Sequence, residues 1–194
     1  MNATQQMDHQ KLITKLEEES EGLTPVLRST VYQEIIAKGQ TIVPSLVSSI
    51  RELTVRHYLT LMAIAELDQN ALQQIPVESR LKIYSDALQK GSPHNDWGLA
   101  GRYLSGASLD IVSIGMKAIP FLWPLLSNNT GIGIWGSKEA TINKIYQNRV
   151  SDFAFYLILK ILNKDEPYFE SPGKRDVSIE SLKQLLKKGN FGVK

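Results

Sequence analysis

The chain has no cysteine, which excludes disulfides, thiolate metal sites and cysteine nucleophiles together. That composition fits a reducing compartment, and the cytoplasm is the expected location. Imidazole is scarce as well. His9, His57 and His94 are the only histidines, too scattered for an HExxH box or a closely spaced metal pair, so no metal or other cofactor is expected. Charge of one sign is also lacking. With 22 basic and 20 acidic residues the formal net charge is +2, which gives no basic footprint for a phosphate backbone, and nucleic acid is not an expected partner. Long apolar runs are missing too. The longest, residues 153–162, contains Lys160 and is about half the ~20 residues that span a bilayer, so it is expected to be a core helix and no membrane contact is expected. Residues 1–10 are polar, so no secretory signal is expected.

Phosphate loops are absent on context. Gly131-Ile132-Gly133 does not extend to GxGxxG, and no G-x4-GK[ST] exists, so nucleotide binding has no support. The acidic stretch Glu17 to Glu19 and the pair Asp165 and Glu166 fall on a polar helix end and a loop. Nothing there raises a carboxyl pKa as a general acid requires, and both groups read as solvated charge.

What is present is helical periodicity. A chain of 194 residues, 42% hydrophobic and 22% charged, is expected to form a single domain over residues 1–194. Leu12, Ile13 and Leu16 share a helical face in a segment starting near Lys11. Thr24 and Pro25 read as an N-cap and first-turn proline for a helix carrying Val31, Ile35 and Ile36 and stopping at Gly39. Residues 41–51 and 55–67 pair as a hairpin, and Leu81, Tyr84, Ala87 and Leu88 mark a helix ending at Gly91. Helical patterns resume over residues 104–114, 116–126, 137–147, 151–163 and 177–188, with Pro124 set to kink or end the second of these, 116–126. Strand alternation is absent. The expected fold class is all-α.

Gly39-x-x-x-Val43-Pro44-x-Leu46-x-x-x-Ile50 recurs as Gly115-x-x-x-Ile119-Pro120-x-Leu122-x-x-x-Leu126, 76 positions later. The glycine ends one helix, the proline opens the next, and the leucine packs it on its neighbour. In these segments the chain resembles HEAT-like repeat proteins, whose units are helix pairs of ~40 residues. Its C-terminal half, through GMKAIPFLWPLL, GSKEATINKIYQNRVSDFAFYLILKIL and KRDVSIESLKQLL, is similar to a set of uncharacterised bacterial HEAT-like proteins. The resemblance implies an α-α superhelix of HEAT-like helical hairpins, and it implies no activity. The stretch around residues 76–91 departs from the glycine and proline pattern.

Two glycine-rich loops interrupt the helices, residues 91–101 (GSPHNDWGLAG) and 127–136 (SNNTGIGIWG). His94, Asp96 and Trp97 in the first, Trp135 in the second, and nearby Arg102 make the candidate partner or ligand surface. Asp96 has a second reading as a helix cap, and Trp97 and Trp135 as apolar plugs on helix ends, which would place both loops at the same end of the stack. No residue is assigned a catalytic role. A helical-repeat surface is suited to binding another protein, so the expected function is a non-enzymatic binding or scaffolding module. Some HEAT-like proteins are DNA glycosylases. The alternative is therefore a DNA-binding or base-excision protein using Trp97, Asp96 and Arg102, although no motif of those enzymes matches residue by residue.

Overall fold

The computed structural model describes residues 3–91, 96–134, 136–189 and 191. The chain divides into two compact units, Met1–Ala87 and Leu88–Lys194. Helix predominates in both, as the periodicity predicts. The only sheet among the described residues is one two-residue hairpin, β1 (Gly98–Leu99) against β2 (Tyr103–Leu104), antiparallel.

In the first unit, α1 (Ala3–Glu21) packs against α2 (Thr30–Ala37), α3 (Val43–Ser49) and α4 (Tyr58–Leu67), with α5 (Gln69–Gln74) against α4. Ile13, Leu16, Ile35, Leu46, Leu59 and Ile64 are fully buried between them. The first helix starts eight residues before the apolar face at Lys11 predicts. Its glutamate-rich end, which the helix dipole disfavours, is held by tertiary partners. Glu17 Oε2 meets Arg56 Nε at 3.2 Å, Glu19 accepts from the Ser29 hydroxyl, and buried Ser20 donates to the Val55 carbonyl and accepts from Leu59 N–H. Glu17 is buried, so the reading of solvated charge is corrected at that residue, while Glu18 is exposed. The capping expectation at Thr24 and Pro25 is corrected as well. Those residues lead into a short 3-10 turn, Val26–Arg28, and the cap of α2 is Ser29, whose Oγ accepts from Tyr32 N at 2.8 Å. Then α6 (Val77–Gln89) brings Asp86 Oδ2 to Val55 N at 2.6 Å and sets Tyr84 edge-on to Tyr58.

In the second unit α10 (Val150–Ile161) is central. Val150, Phe153, Ala154, Phe155, Leu157 and Ile158 are buried on almost every side, and α7 (Ala107–Ile114), α8 (Ile119–Leu122) and α11 (Pro172–Lys188) pack on it. This helix forms because its apolar residues run nearly all round, which only a core position accommodates. The helix of α8 ends at Leu122, and Pro124 sits in the first turn of the 3-10 segment Trp123–Ser127 that follows. A proline two residues further on cannot continue the α-helical ladder. The remaining helix, α9 (Ser137–Tyr146), stops at Gln147, which has φ +50.

The two copies of the glycine-proline pattern have the same local geometry, one in each unit. Gly39 and Gly115 have φ of +62° and +73°. A Cβ on either would meet nothing within 4 Å, so backbone conformation, not space, demands glycine there. Each opens a four-residue 3-10 turn, then a helix with proline in its first turn, and then a buried leucine, Leu46 or Leu122.

Candidate functional site

The two glycine-rich loops meet in the second unit. Asn128 Nδ2 donates to the Gln89 carbonyl at 3.1 Å, and a Cβ on Gly91 would stand 3.7 Å from the Gly131 carbonyl oxygen. The second loop is tied along residues 148–151 by Ile132 N to Asn148 O, Val150 N to Thr130 O and Ser151 N to Asn128 O, at 2.8 to 3.1 Å. Glycine content therefore coexists here with backbone pairing. His94 and Trp135, two of the five sequence-predicted residues, lie outside the described residues.

The other three divide between core and surface. Asp96 and Trp97 are buried, Trp97 completely. Its carbonyl accepts from Ser105 N at 3.1 Å, closing the base of the β1–β2 hairpin. Arg102 stands at the exposed tip, where its N–H bonds the Leu99 carbonyl at 2.9 Å. Trp97 thus anchors a hairpin whose exposed tip carries Arg102.

That end meets residues the sequence does not bring together. The Arg102 guanidinium lies 5.7 Å from the Tyr146 ring centre and donates to its hydroxyl at 3.2 Å. Tyr146 stacks on Tyr168, with centroids 5.9 Å apart and planes 24° apart, and Tyr156 presents its edge to Tyr168 at 6.0 Å. Lys160 Nζ lies 5.2 Å over Tyr156. A continuous line therefore runs Arg102, Tyr146, Tyr168, Tyr156, Lys160, with both cations exposed and all three rings half-buried. Cations over tyrosine faces are worth about 0.5–1 kcal/mol each when exposed.

Beneath it, Tyr168 packs on Gly101 and lies 5.3 Å from the buried Arg175 guanidinium. Its hydroxyl donates to Asn148 Oδ1 at 2.6 Å. Burial, with the Asp152 carboxylate next in weight, holds that hydroxyl well above the ordinary tyrosine range, so it stays a protonated donor. The chemistry available on this surface is recognition by rings, guanidinium and ammonium groups.

The first unit holds a polar cleft of about 470 Å³ lined by Glu17, Arg51, Glu52, Arg56 and His57, among others. His57 is buried at the start of α4. Its Nε2 accepts from Glu52 N at 3.4 Å, and its Nδ1 stands 3.6 Å from Glu17 Oε1, a Coulombic contact beyond hydrogen-bond length. Both ring nitrogens thus face protein groups. The hydroxyls of Ser48 and Ser49 donate to the Ser45 and Leu46 carbonyls at 3.0 and 2.9 Å, so neither is an activated nucleophile. Among the described residues no group of three His, Asp or Glu side chains is placed to hold a metal ion.

Burial lowers the His57 pKa below its ordinary 6.5, outweighing the opposing pull of Glu17. The folded chain therefore takes up this proton less readily than the unfolded chain. The stabilising contribution is complete above pH 6.5 and is lost as pH falls toward the lowered value. Urea unfolding of wild type and His57→Gln between pH 8 and pH 5 checks this. The stability of wild type should fall more steeply toward acid than that of the variant, and parallel profiles would remove the assignment.

No family model, curated protein or solved structure matches this chain.

Proposed function

We propose that this chain is a HEAT-like helical-repeat protein, without catalytic activity and cytoplasmic, whose second unit binds another protein through the surface of Arg102, Tyr146, Tyr156, Tyr168 and Lys160. The observation that carries the reading is the unbroken line of two exposed cations and three half-buried rings. Tyrosine and arginine are enriched among the residues that dominate interface energetics, tyrosine because it supplies large, rigid, amphipathic contact area at small entropic cost. Rings already stacked on one another are pre-organised, so little ordering remains to oppose binding. The matching geometry around Gly39 and Gly115 supports reading the helices as repeated hairpins, which present such surfaces. Against catalysis stand the His57 Nε2, which accepts from Glu52 N, and the back-bonded serines.

Affinity capture with the full chain tests the reading. Wild type and a remote control, Lys82→Ala, should retain the same protein, and an Arg102→Ala/Tyr156→Ala double variant should lose it by tenfold or more. The base-excision alternative requires Asp96 and Trp97 at a surface with Arg102, and both are buried. Micromolar, salt-sensitive binding of random duplex DNA, lost in the same double variant, would replace the protein-partner reading with the nucleic-acid one.

A further inference from the structure

The segment Ala107–Ser127 is long and apolar enough, by length and composition, to cross a bilayer, yet only 33% of its most apolar window is buried. Its backbone rules out a single straight span. It turns at Gly115, with φ +73, and carries prolines at 120 and 124 that cannot donate to a helical ladder. What it offers instead is an apolar edge facing water. Leu109 on α7 and Met116 just beyond the turn at Gly115 are 55% and 50% exposed. Pro120 and Pro124 are exposed, and Phe121 and Trp123 are partly so. The water-facing side of a helical segment is ordinarily charged, and here only Asp110 and Lys117 are.

The charge beside this edge is mainly positive, with the exposed Glu180 carboxylate 3.9 Å from Lys183 Nζ. Lys187 Nζ sits 5.9 Å from the Trp123 ring centre, and Lys183 Nζ donates to Ser127 Oγ at 3.0 Å. Lys117 is exposed on the segment itself. Residues 88–194 hold 14 of the 22 basic side chains and 9 of the 20 acidic ones, a net +5 hidden by the near-neutral total.

We propose that this edge is an interfacial membrane-binding surface that lies on anionic lipid headgroups. Leucine, methionine and phenylalanine would enter the acyl boundary, and a tryptophan belongs at headgroup depth. Lysines stacked along it would reach the phosphates. Charge complementarity selects the anionic leaflet, because each lysine near such a surface contributes about a fivefold gain in binding. The proposal goes beyond the protein-partner reading and departs from the expectation of no membrane contact. It uses residues distinct from Arg102 and the tyrosines.

Co-sedimentation of the full chain with phosphatidylcholine vesicles, with and without phosphatidylserine, tests it. The chain should pellet with the anionic vesicles only, and added salt should release it. Lys187→Gln should weaken binding about fivefold, and Leu109→Ser/Met116→Ser by tenfold or more. Leu27→Ser, at a residue 79% exposed in the first unit, should change nothing, and Arg102→Ala should leave vesicle binding intact while protein capture suffers. Both apolar changes lie on the exposed surface, and a circular dichroism melt verifies that the variants fold. Absence of pelleting, equal binding to neutral vesicles, or equal loss in Leu27→Ser would overturn the proposal. So would a concentration-dependent dimer abolished by the Leu109/Met116 variant, which would assign the edge to a second copy of the chain.

Discussion

Trp97→Ala should lower the unfolding free energy by about 3–5 kcal/mol, the range for deleting a large aromatic side chain from a core. Trp97 is fully buried and heads the largest buried side chains among the described residues, with Leu99, Ala100 and Ala107 buried in the segment that follows it. A cavity of that size cannot collapse easily, because the hairpin above it is fixed at both ends. The Trp97 carbonyl holds Ser105 N, and Gly101 is pressed against Tyr168. The expected drop in melting temperature is roughly 10 °C or more, a large share of the ~5–15 kcal/mol that holds a domain together. Arg102→Ala, at the exposed tip of the same hairpin, should stay within ~0.5 kcal/mol of wild type, as surface changes do. Calorimetry of the two variants compares anchor and tip directly. If Trp97→Ala melts like wild type, the ring is not the anchor, and the hairpin must be held from the Tyr168 side alone.

The fold was legible where a local rule decides the outcome. Period 3.6 over α4, α6 and α10 reads directly as helix, and the glycine-proline pattern reads as a left-handed stop followed by a proline-initiated turn. It was misread where distant partners override local preference. The glutamates near the end of α1 read as solvated charge until Arg56 and Ser29 arrive from later in the chain to meet Glu17 and Glu19. Pro172 and Gly173 have loop composition, yet the proline is the first residue of α11, where a missing N–H costs nothing. The small hairpin at 98–104 is too short to show alternation at all.

The candidate surface was half legible. Trp97 and Arg102 attract notice because a tryptophan and an arginine flank a glycine-rich loop, but the sequence does not say that one is core and the other solvent. Tyr146, Tyr156 and Tyr168 carry no motif. They lie on α9, on α10 and in the loop before α11, and only the packing of those elements stacks them. The charge of the second unit was hidden for a related reason. An average over 194 residues cancels an acidic first unit against a basic second one.

Arg175→Met should cost about 3–5 kcal/mol, because it breaks a buried ion pair by removing one partner. Arg175 and Asp152 are both 0% exposed, with Nε 2.9 Å from Oδ1 and Nη2 donating to Oδ2 at 3.0 Å. The guanidinium also donates to four carbonyls, those of Phe169, Glu170, Tyr146 and Gln147, at 2.6 to 3.3 Å. It therefore ties the end of α9 and the loop before α11 to the N-terminus of α10. Asp152 would retain Arg149, which reaches it through Nε and Nη2 at 3.1 and 3.0 Å, so the stranded charge is partly compensated and the carbonyls supply much of the loss. This division can be measured. In Arg175→Met/Asp152→Leu the buried charge is gone from both sides, and replacing an ion pair by apolar groups is often neutral on electrostatic grounds alone. Stability should nevertheless return only in part, because the four carbonyls still lack this donor, and Arg149, whose backbone N–H and guanidinium both bond Asp152, loses that acceptor and keeps Asp176. Arg175→Lys should also fail to restore it, since an ammonium has three donors and no planar fork to span five acceptors. Full recovery in the double variant would show that charge alone sets the cost, and would remove the backbone clamp from the account of how Tyr146 and Tyr168 are held in register.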